Sequence, residues 1–478
     1  MPNIELLEKS MPVAPIRIAA LEGCRELAEE VDRNLVKFRK ELVEKKGLDN
    51  VPQGYSEDSF IVECECPRFG TGEGKGIIKE SVRGTDLYIM VDVTNYSSTY
   101  TVCGHENHMS PDNHFQDLKR IISAATGKAH RINVIMPFLY EGRQHRRKKR
   151  ESLDCALALR ELSDMGVSNI ITFDAHDPRV QNSIPLNGFD NFFPTYQFLK
   201  ALIKNVDNFQ VDNDHLMIIS PDEGAMSRAV YFSNILGVDM GMFYKRRDYS
   251  TVVNGKNPIV AHEFLGDSVE GKDVVIIDDM ISSGESMLDV AKQIKERHAN
   301  RVFICTTYGL FTEGMDKFDA YYEKGWIDKV ITTNLNYRIP ELLTRPYYVE
   351  ANMSKYLASI MDIINHDVSV EKVRSSNEKI NGSDEACKSV IDNKQTKPCS
   401  TLSRLWYRAS LYLLIYMGSK NASALVCNII FPDECPEKLP DFLSFHGMPC
   451  GKRGIPDYSR CKFQAWKYAL LLFLPPEK

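Results

Sequence analysis

Short apolar segments alternate with amphipathic segments along most of the chain, and this alternation limits the possible folds. INVIMPF, HLMIISP and RVFICTTYG have strand length and no polar face. Strands that are apolar on both faces are typical of parallel sheets with helices on both sides, and repeated β-α-β order builds such sheets. We therefore predict an α/β fold for residues 60–370.

The N-terminal part is less regular. Apolar residues at helical spacing predict an amphipathic helix within residues 16–46, and the stretch from Phe60 to DLYIMVDV favours short strands. Residues 95–112 read as a polar loop. Further helices are expected at 112–126, 151–165, 194–204, 225–236, 285–297 and 353–365.

Composition excludes several classes of protein. With 43% hydrophobic and 26% charged residues, the 478-residue chain can build two or three globular domains. A net charge of −6 disfavours a protein that coats nucleic acid. No apolar run is long enough to span a membrane, no export signal is apparent, and twelve cysteines lack metal-site spacing, so we expect a cytoplasmic protein with reduced thiols.

One predicted strand ends in side chains that could bind a phosphorylated sugar. In VVIIDDMISSGESM (274–287) a buried strand ends in two carboxylates and passes through Ser-Ser-Gly into a helix. Backbone amides and hydroxyls at such a helix start can hold a phosphate, while the carboxylates can bind neighbouring hydroxyls. The alternative is an ordinary helix cap, but the coincidence of buried strand, acid pair and Ser/Gly loop favours a binding site.

This segment resembles the phosphoribosyl-diphosphate loop of type I phosphoribosyltransferases and of ribose-phosphate pyrophosphokinases. The resemblance implies that Asp278 and Asp279 bind the ribose hydroxyls. It also implies that the 5-phosphate is held by Ser282, Ser283, Gly284 and Ser286. Ser282 and Glu285 stand where the families often have an acid and a second glycine, and Glu285 must face away from a bound phosphate.

Further segments resemble the pyrophosphokinase family, in that family's order. YEGRQHRRKKR (140–150) is similar to its Arg-Gln-Asp segment, which implies that Arg143 and Gln144 contact ATP; His145 replaces the aspartate. On its own this basic run could equally be a solvated face or a nuclear-localisation patch. ITFDAHDP (171–178) resembles Asp-Leu-His-Ala, which implies a catalytic and magnesium-binding His176 supported by Asp174.

Three more matches complete the resemblance. IISPDEG resembles Ser-Pro-Asp-x-Gly and implies that Asp222 joins His176 and Asp174 near the metal. YKRRDYS resembles the family's mobile catalytic loop and implies catalytic roles for Lys245 and Arg247, which would neutralise charge on the transferred group. PRFGTGEGKG (67–76) resembles a turn that holds adenine in a neighbouring subunit. The implied adenine contacts are Phe69, Thr71 and Glu73.

The resemblance implies two phosphoribosyltransferase-like domains, at 15–195 on the ATP side and 196–372 with the ribose 5-phosphate loop. Residues 373–478 would form a polar linker and an unassigned C-terminal tail, for which we hypothesise no role in catalysis. The implied enzyme transfers the β,γ-diphosphate of MgATP to ribose 5-phosphate for nucleotide biosynthesis, and works as a dimer or hexamer.

Three alternatives remain at this point. A type I phosphoribosyltransferase would explain residues 274–287 but not the RQHRR, DAH and KRR segments. A non-catalytic regulatory homologue would fit the departures at His145, Ser282 and Glu285. A nucleic-acid-binding protein would use the basic run at 143–150, but no aromatic residues are interleaved with it.

Overall fold

A computed structural model describes residues 10–47, 51–52, 54–247 and 259–371. Within these ranges the strands are β1 (Ile16–Ala20), β2 (Ile61–Val62), β3 (Cys64–Glu65), β4 (Ile77–Ile78), β5 (Asp86–Met90), β6 (Thr99–Val102), β7 (His105–His108), β8 (Arg131–Ile135), β9 (Asn169–Phe173), β10 (Gly188–Phe192), β11 (Leu216–Ser220), β12 (Asp239–Arg247), β13 (Ile259–Leu265), β14 (Asp273–Ile281), β15 (Val302–Gly309), β16 (Lys329–Thr333) and β17 (Tyr348–Ala351).

The α-helices of the same ranges cover the sheets. They are α1 (Arg25–Lys46), α2 (Pro111–Ala125), α3 (Asp154–Asp164), α4 (Thr195–Asn205), α5 (Met226–Leu236), α6 (Glu285–Glu296), α7 (Asp316–Glu323) and α8 (Ser354–Asn365).

Two large sheets form the framework. The first has the order β10-β9-β8-β5-β1-β2, and all its neighbouring strands are parallel. The second has the order β13-β12-β11-β14-β15-β16-β17 and is parallel except for the β12–β13 pair. Central strands β5, β11 and β15 are buried along their whole length. This confirms the predicted α/β fold with parallel sheets flanked by helices.

Helix α8 returns from the second sheet to the first. Arg39 of α1 forms a buried ion pair with Asp362 of α8, and the hydroxyl of Tyr88 on β5 donates to the Met361 carbonyl (3.2 Å). Apolar residues of α1, β1 and α8 share one hydrophobic core. Helix α8 therefore ties the two halves together, because burying its apolar face covers the first sheet.

Some predicted elements were wrong. Residues 16–20 form β1, not the start of a helix, because the backbone pairs with β5 on one side and β2 on the other. The predicted polar loop at 95–112 contains the antiparallel hairpin β6–β7 and the start of α2. In β1 and in the hairpin β6–β7, pairing with other strands satisfies the backbone hydrogen bonds. The periodicity of a few residues does not reveal such pairing.

The linker and tail predicted for 373–478 lie outside the described residues. No helix in the described part of the chain is long and apolar enough to cross a membrane.

Candidate active site

The strand ends of the two sheets meet beside Tyr308 of β15. Its hydroxyl donates to the Phe173 carbonyl at the end of β9 (2.6 Å), and also to the Pro137 carbonyl. Next to it, the Thr307 hydroxyl donates to Asp174 (2.7 Å). Ligands of open α/β sheets bind beyond the carboxyl ends of the strands, so this junction is the place to look for a site.

A histidine and an aspartate join the two halves at this junction. His176 follows β9, and its Nδ1 lies 2.6 Å from Oδ2 of Asp279 on β14. Asp279 is 3% exposed, whereas the His176 side chain is 39% exposed. The buried carboxylate therefore orients an imidazole whose other nitrogen faces away from it.

Arg228 on α5 is a residue of the candidate site that the sequence analysis missed. Its Nε donates to Asp174 (2.6 Å), and its terminal nitrogen lies 3.4 Å from Asp279. The Arg228 side chain is 9% exposed, and the two carboxylates are 4% and 5% exposed. A cation in the first turn of a helix is unfavourable, because it lies at the positive end of the helix dipole. Such an arginine in a predicted helix start could have indicated a nearby anion.

The adjacent carboxyls of β14 differ in acidity. Burial and the charge of Asp279 raise the pKa of Asp278 well above its usual range, and the charge of Asp222 adds to this. Burial would also raise the pKa of Asp279, but the hydrogen bond from His176 and the charge of Arg228 lower it overall. Asp279 is thus the more acidic member of the pair.

The loop after β14 turns into helix α6 at Gly284. Gly284 has φ +81°, and a side chain there would run into the Phe318 ring. The Thr312 amide donates to the Ser282 carbonyl (3.0 Å), and α6 begins directly after the glycine. The Glu285 carboxylate is paired with Lys317 (2.7 Å).

The RQH segment lies beside this junction. Arg143 lines a cavity of about 720 Å³ whose other walls include Tyr140, Phe311 and Thr312. Gln144 donates through its side chain to the Ser152 carbonyl (2.6 Å).

His145 lies next to His176. Its Nδ1 lies 3.0 Å from Asp177, and its ring is 5.5 Å from the ring of His176. Burial lowers the pKa of His145. The residue that replaces the family's aspartate is therefore paired with a carboxylate from the DAHD segment.

The predicted adenine turn is held on the surface of α2. Arg68 makes two hydrogen bonds to Asp117 (2.6 and 2.8 Å), and the Phe69 amide donates to the Glu73 carbonyl (2.7 Å). Thr71 donates to Glu73 (3.0 Å). The Phe69 ring is 54% exposed and thus open to a ligand or a second subunit.

The remaining predicted residues are described only in part. The backbone of Lys245 and Arg247 forms the end of β12, paired with β13, rather than a loop. Their side chains lie outside the described part of the structure. Asp222 accepts a hydrogen bond from the Gly224 amide (2.9 Å).

The metal ligands predicted from the sequence are His176, Asp174 and Asp222. Both oxygens of Asp174 are bonded within the protein, to Arg228 and Thr307. In the described ranges, no three His, Cys, Asp or Glu side chains form a ready-made metal cluster. Mg²⁺ commonly uses one or two carboxylates and completes its shell with substrate phosphates and water, so the other two predicted ligands, His176 and Asp222, do not require a preformed cluster.

Comparison with known proteins places the chain in a family. Residues 16–166 match the N-terminal domain of ribose phosphate pyrophosphokinase, and residues 195–338 match a phosphoribosyl transferase domain. The ribose-phosphate pyrophosphokinase of Thermosipho africanus is 30% identical over 257 residues, covering 53% of this chain and 73% of that protein. The chain belongs to the ribose-phosphate pyrophosphokinase family. The predicted resemblance is confirmed.

Two further proteins with pyrophosphokinase or phosphoribosylpyrophosphate synthetase names are similar to this chain. The enzyme of Vibrio parahaemolyticus is 29% identical over 314 residues, covering 64% of this chain and 90% of that protein. The crystal structure of phosphoribosylpyrophosphate synthetase from Mycobacterium smegmatis has a TM-score of 0.54 at 19% identity and covers 74% of this chain and 99% of that one. It supports the same fold.

Proposed function

We propose that this chain is a ribose-phosphate diphosphokinase, which makes phosphoribosyl diphosphate and AMP from ATP and ribose 5-phosphate. The observation that carries the proposal is the hydrogen bond between His176 and Asp279. It joins the strand end that resembles the ATP site to the strand end that resembles the ribose-phosphate loop. Membership of the pyrophosphokinase family supports the same reaction.

Ribose 5-phosphate would bind at the end of β14. The phosphate would lie against Ser282, Ser283, Gly284 and Ser286, where the start of α6 presents amide groups and a positive dipole end. Asp278 and Asp279 would bind the ribose hydroxyls. Glu285 does not oppose the phosphate, because its carboxylate is held by Lys317.

ATP would lie between β9 and the RQH segment. Arg143 and Gln144 would contact its phosphates, and His176 would lie beside them. Mg²⁺ would be held by His176 and Asp222 together with phosphate oxygens, and would offset part of the negative charge of the phosphates. Asp174 would act through Arg228 rather than touch the metal, because both its oxygens are already bonded.

In the transfer, the 1-hydroxyl oxygen forms a bond to the β-phosphorus of ATP while the bond from that phosphorus to the α-phosphate oxygen breaks. AMP leaves with the bonding electron pair, and the hydroxyl proton passes to solvent. Positioning and charge neutralisation account for most catalysis of this kind. Lys245 and Arg247 are our candidates for neutralising the transferred group, and His176 for contacting it.

The decisive experiment measures AMP and phosphoribosyl diphosphate formed from ATP, Mg²⁺ and ribose 5-phosphate. His176→Ala should reduce kcat by at least about 100-fold, as removal of a transition-state contact does. His215→Ala is the matched control, because His215 pairs with Asp212 at 2.7 Å outside the site and should keep full activity. Folded wild-type protein without turnover would refute the proposal in favour of a regulatory homologue.

We further propose a homo-oligomer, a dimer or hexamer, in which Phe69, Thr71 and Glu73 hold the adenine of a neighbouring subunit. The exposed Phe69 ring supports this. Mixing Phe69→Ala with His176→Ala subunits should restore activity, because hybrid sites combine an intact His176 with an intact turn. No recovery after confirmed subunit exchange would show that the turn serves its own subunit. A cytoplasmic location stays a prediction.

A further inference from the structure

The hairpin β6–β7 lies outside the function described so far, although it contacts the proposed adenine turn. It is a two-residue hairpin in which Val102 pairs with His105. The linking residues Cys103 and Gly104 have φ +50° and +83°. Positive φ at both positions is typical of a tight turn that matches the twist of the flanking strands, so the hairpin tip has a defined shape.

The tip of the hairpin bonds directly to the turn. The Cys103 amide donates to the Gly70 carbonyl (2.7 Å). The Arg68 guanidinium lies 5.2 Å from the centre of the Tyr100 ring, a cation–π distance. The hairpin therefore contacts the turn on both sides of Phe69.

Gly72 shows how closely the two segments fit. It has φ +91°, and a Cβ placed there would lie 2.9 Å from a methyl carbon of Val102. Valine has few accessible χ1 rotamers and cannot easily move aside. The turn therefore depends on a glycine for its backbone conformation and for its contact with β6.

The base of the hairpin is anchored as well. The Met109 amide donates to the Ser98 carbonyl (2.8 Å), and His108 Nδ1 lies 2.7 Å from the Tyr96 carbonyl. The Tyr96 ring packs edge-on against Tyr337, 5.4 Å between centres. Fixed at its base, the hairpin can hold the turn instead of moving with it.

We propose that hairpin β6–β7 is a positioning element for the nucleotide base, which holds the turn at 67–76 so that Phe69 is presented to the adenine ring. This inference rests on the proposed function, in which that turn binds adenine. The hairpin side chains that contact the turn are Val102, beside Gly72, and Tyr100, beside Arg68. Ribose 5-phosphate, at the other substrate site, should not depend on them.

The test is a double-mutant cycle on Gly72→Ala and Val102→Ala, reading KM for ATP and KM for ribose 5-phosphate. Gly72→Ala should raise KM for ATP about tenfold, the order expected when a positive-φ glycine acquires a Cβ. Adding Val102→Ala should remove at least about twofold of that rise, since residues in contact couple. KM for ribose 5-phosphate should not change.

Gly166→Ala is the control, because Gly166 has a similar φ of +86° and open space around its Cβ position. If Gly166→Ala raised KM for ATP as much as Gly72→Ala does, the proposal would be overturned. It would also be overturned if the effects of Gly72→Ala and Val102→Ala on KM for ATP were additive. A purely structural hairpin would lower stability and leave KM for ATP unchanged. If the wild type bound MgATP without turnover, the proposed function would fail, and the same cycle on the dissociation constant for MgATP would decide this inference.

Discussion

Replacement of Arg228 by methionine should destabilise the protein in a pH-dependent way. The arginine neutralises two carboxylates, Asp174 at 2.6 Å and Asp279 at 3.4 Å, and all three side chains are at most 9% exposed. Removing one partner from a buried ion pair costs about 3–5 kcal/mol, because the other charges remain buried and unpaired. We expect a loss of that order in the free energy of unfolding at pH 8.

The sign of the pH dependence follows from the two carboxylates. The wild-type pKa of Asp279 is lowered, so its ionised form contributes stability above the unfolded pKa, and this contribution is lost as pH falls through the folded pKa. The variant lacks the part of that contribution that the charge of Arg228 supplies, while the hydrogen bond from His176 remains. Burial already raises the pKa of Asp174, and loss of Arg228 raises it further, so protonation relieves the variant at low pH. The loss should therefore be smaller at pH 5 than at pH 8.

Urea unfolding followed by circular dichroism at both pH values measures this difference. Arg228→Met combined with Asp174→Asn should recover part of the loss, because one buried charge is removed. Arg25→Met is the control: its side chain is 49% exposed and that of its partner Glu22 is 66% exposed, and exposed ion pairs contribute little. An equal loss at both pH values, or a stability like that of Arg25→Met, would refute the assignment of Arg228 as the buried counter-ion.

Three further predictions concern the phosphate loop and the tail. Gly284→Ala should raise KM for ribose 5-phosphate about tenfold or more, because a Cβ at φ +81° is strained and meets Phe318; steady-state kinetics with an unchanged KM would contradict this. Glu285→Gln should change the same KM by less than about twofold, since exposed ion pairs contribute little and the carboxylate faces Lys317; a large drop in KM would show that it repels the phosphate. Chain termination after residue 372 should leave turnover intact, and a folded but inactive product would assign the tail a catalytic role.

Local patterns were sufficient for much of the fold. The helix after the buried strand β14 was predicted at 285–297 and is observed at Glu285–Glu296, because a continuous apolar run and a Ser/Gly helix start are local signals. Strands β10, β13 and β17 were missed, as was helix α7. These elements are short or lie near an edge of a sheet, and their order depends on neighbours rather than on their own periodicity.

The residues of the candidate site also divide into those predicted from local sequence and those found only in the structure. Asp278, Asp279 and Gly284 could be predicted because strand end, acid pair and glycine are consecutive in the chain. Arg228 could not, because its partner Asp174 is 54 positions away. The support of the adenine turn by β6–β7 was equally hidden, since the hairpin sequence is polar and resembles a loop.

The sequence by itself determined the α/β class, the family and the chemistry at each strand end, because these depend on patterns within a few residues. Only the tertiary structure decided which strand ends meet. His176 and Asp279 are 103 positions apart and come within 2.6 Å because the two sheets join at Tyr308. The same packing buries Arg228 with two carboxylates and sets the acidity of the pair on β14. Burial and through-space charge are properties of the folded chain, and no local pattern encodes them.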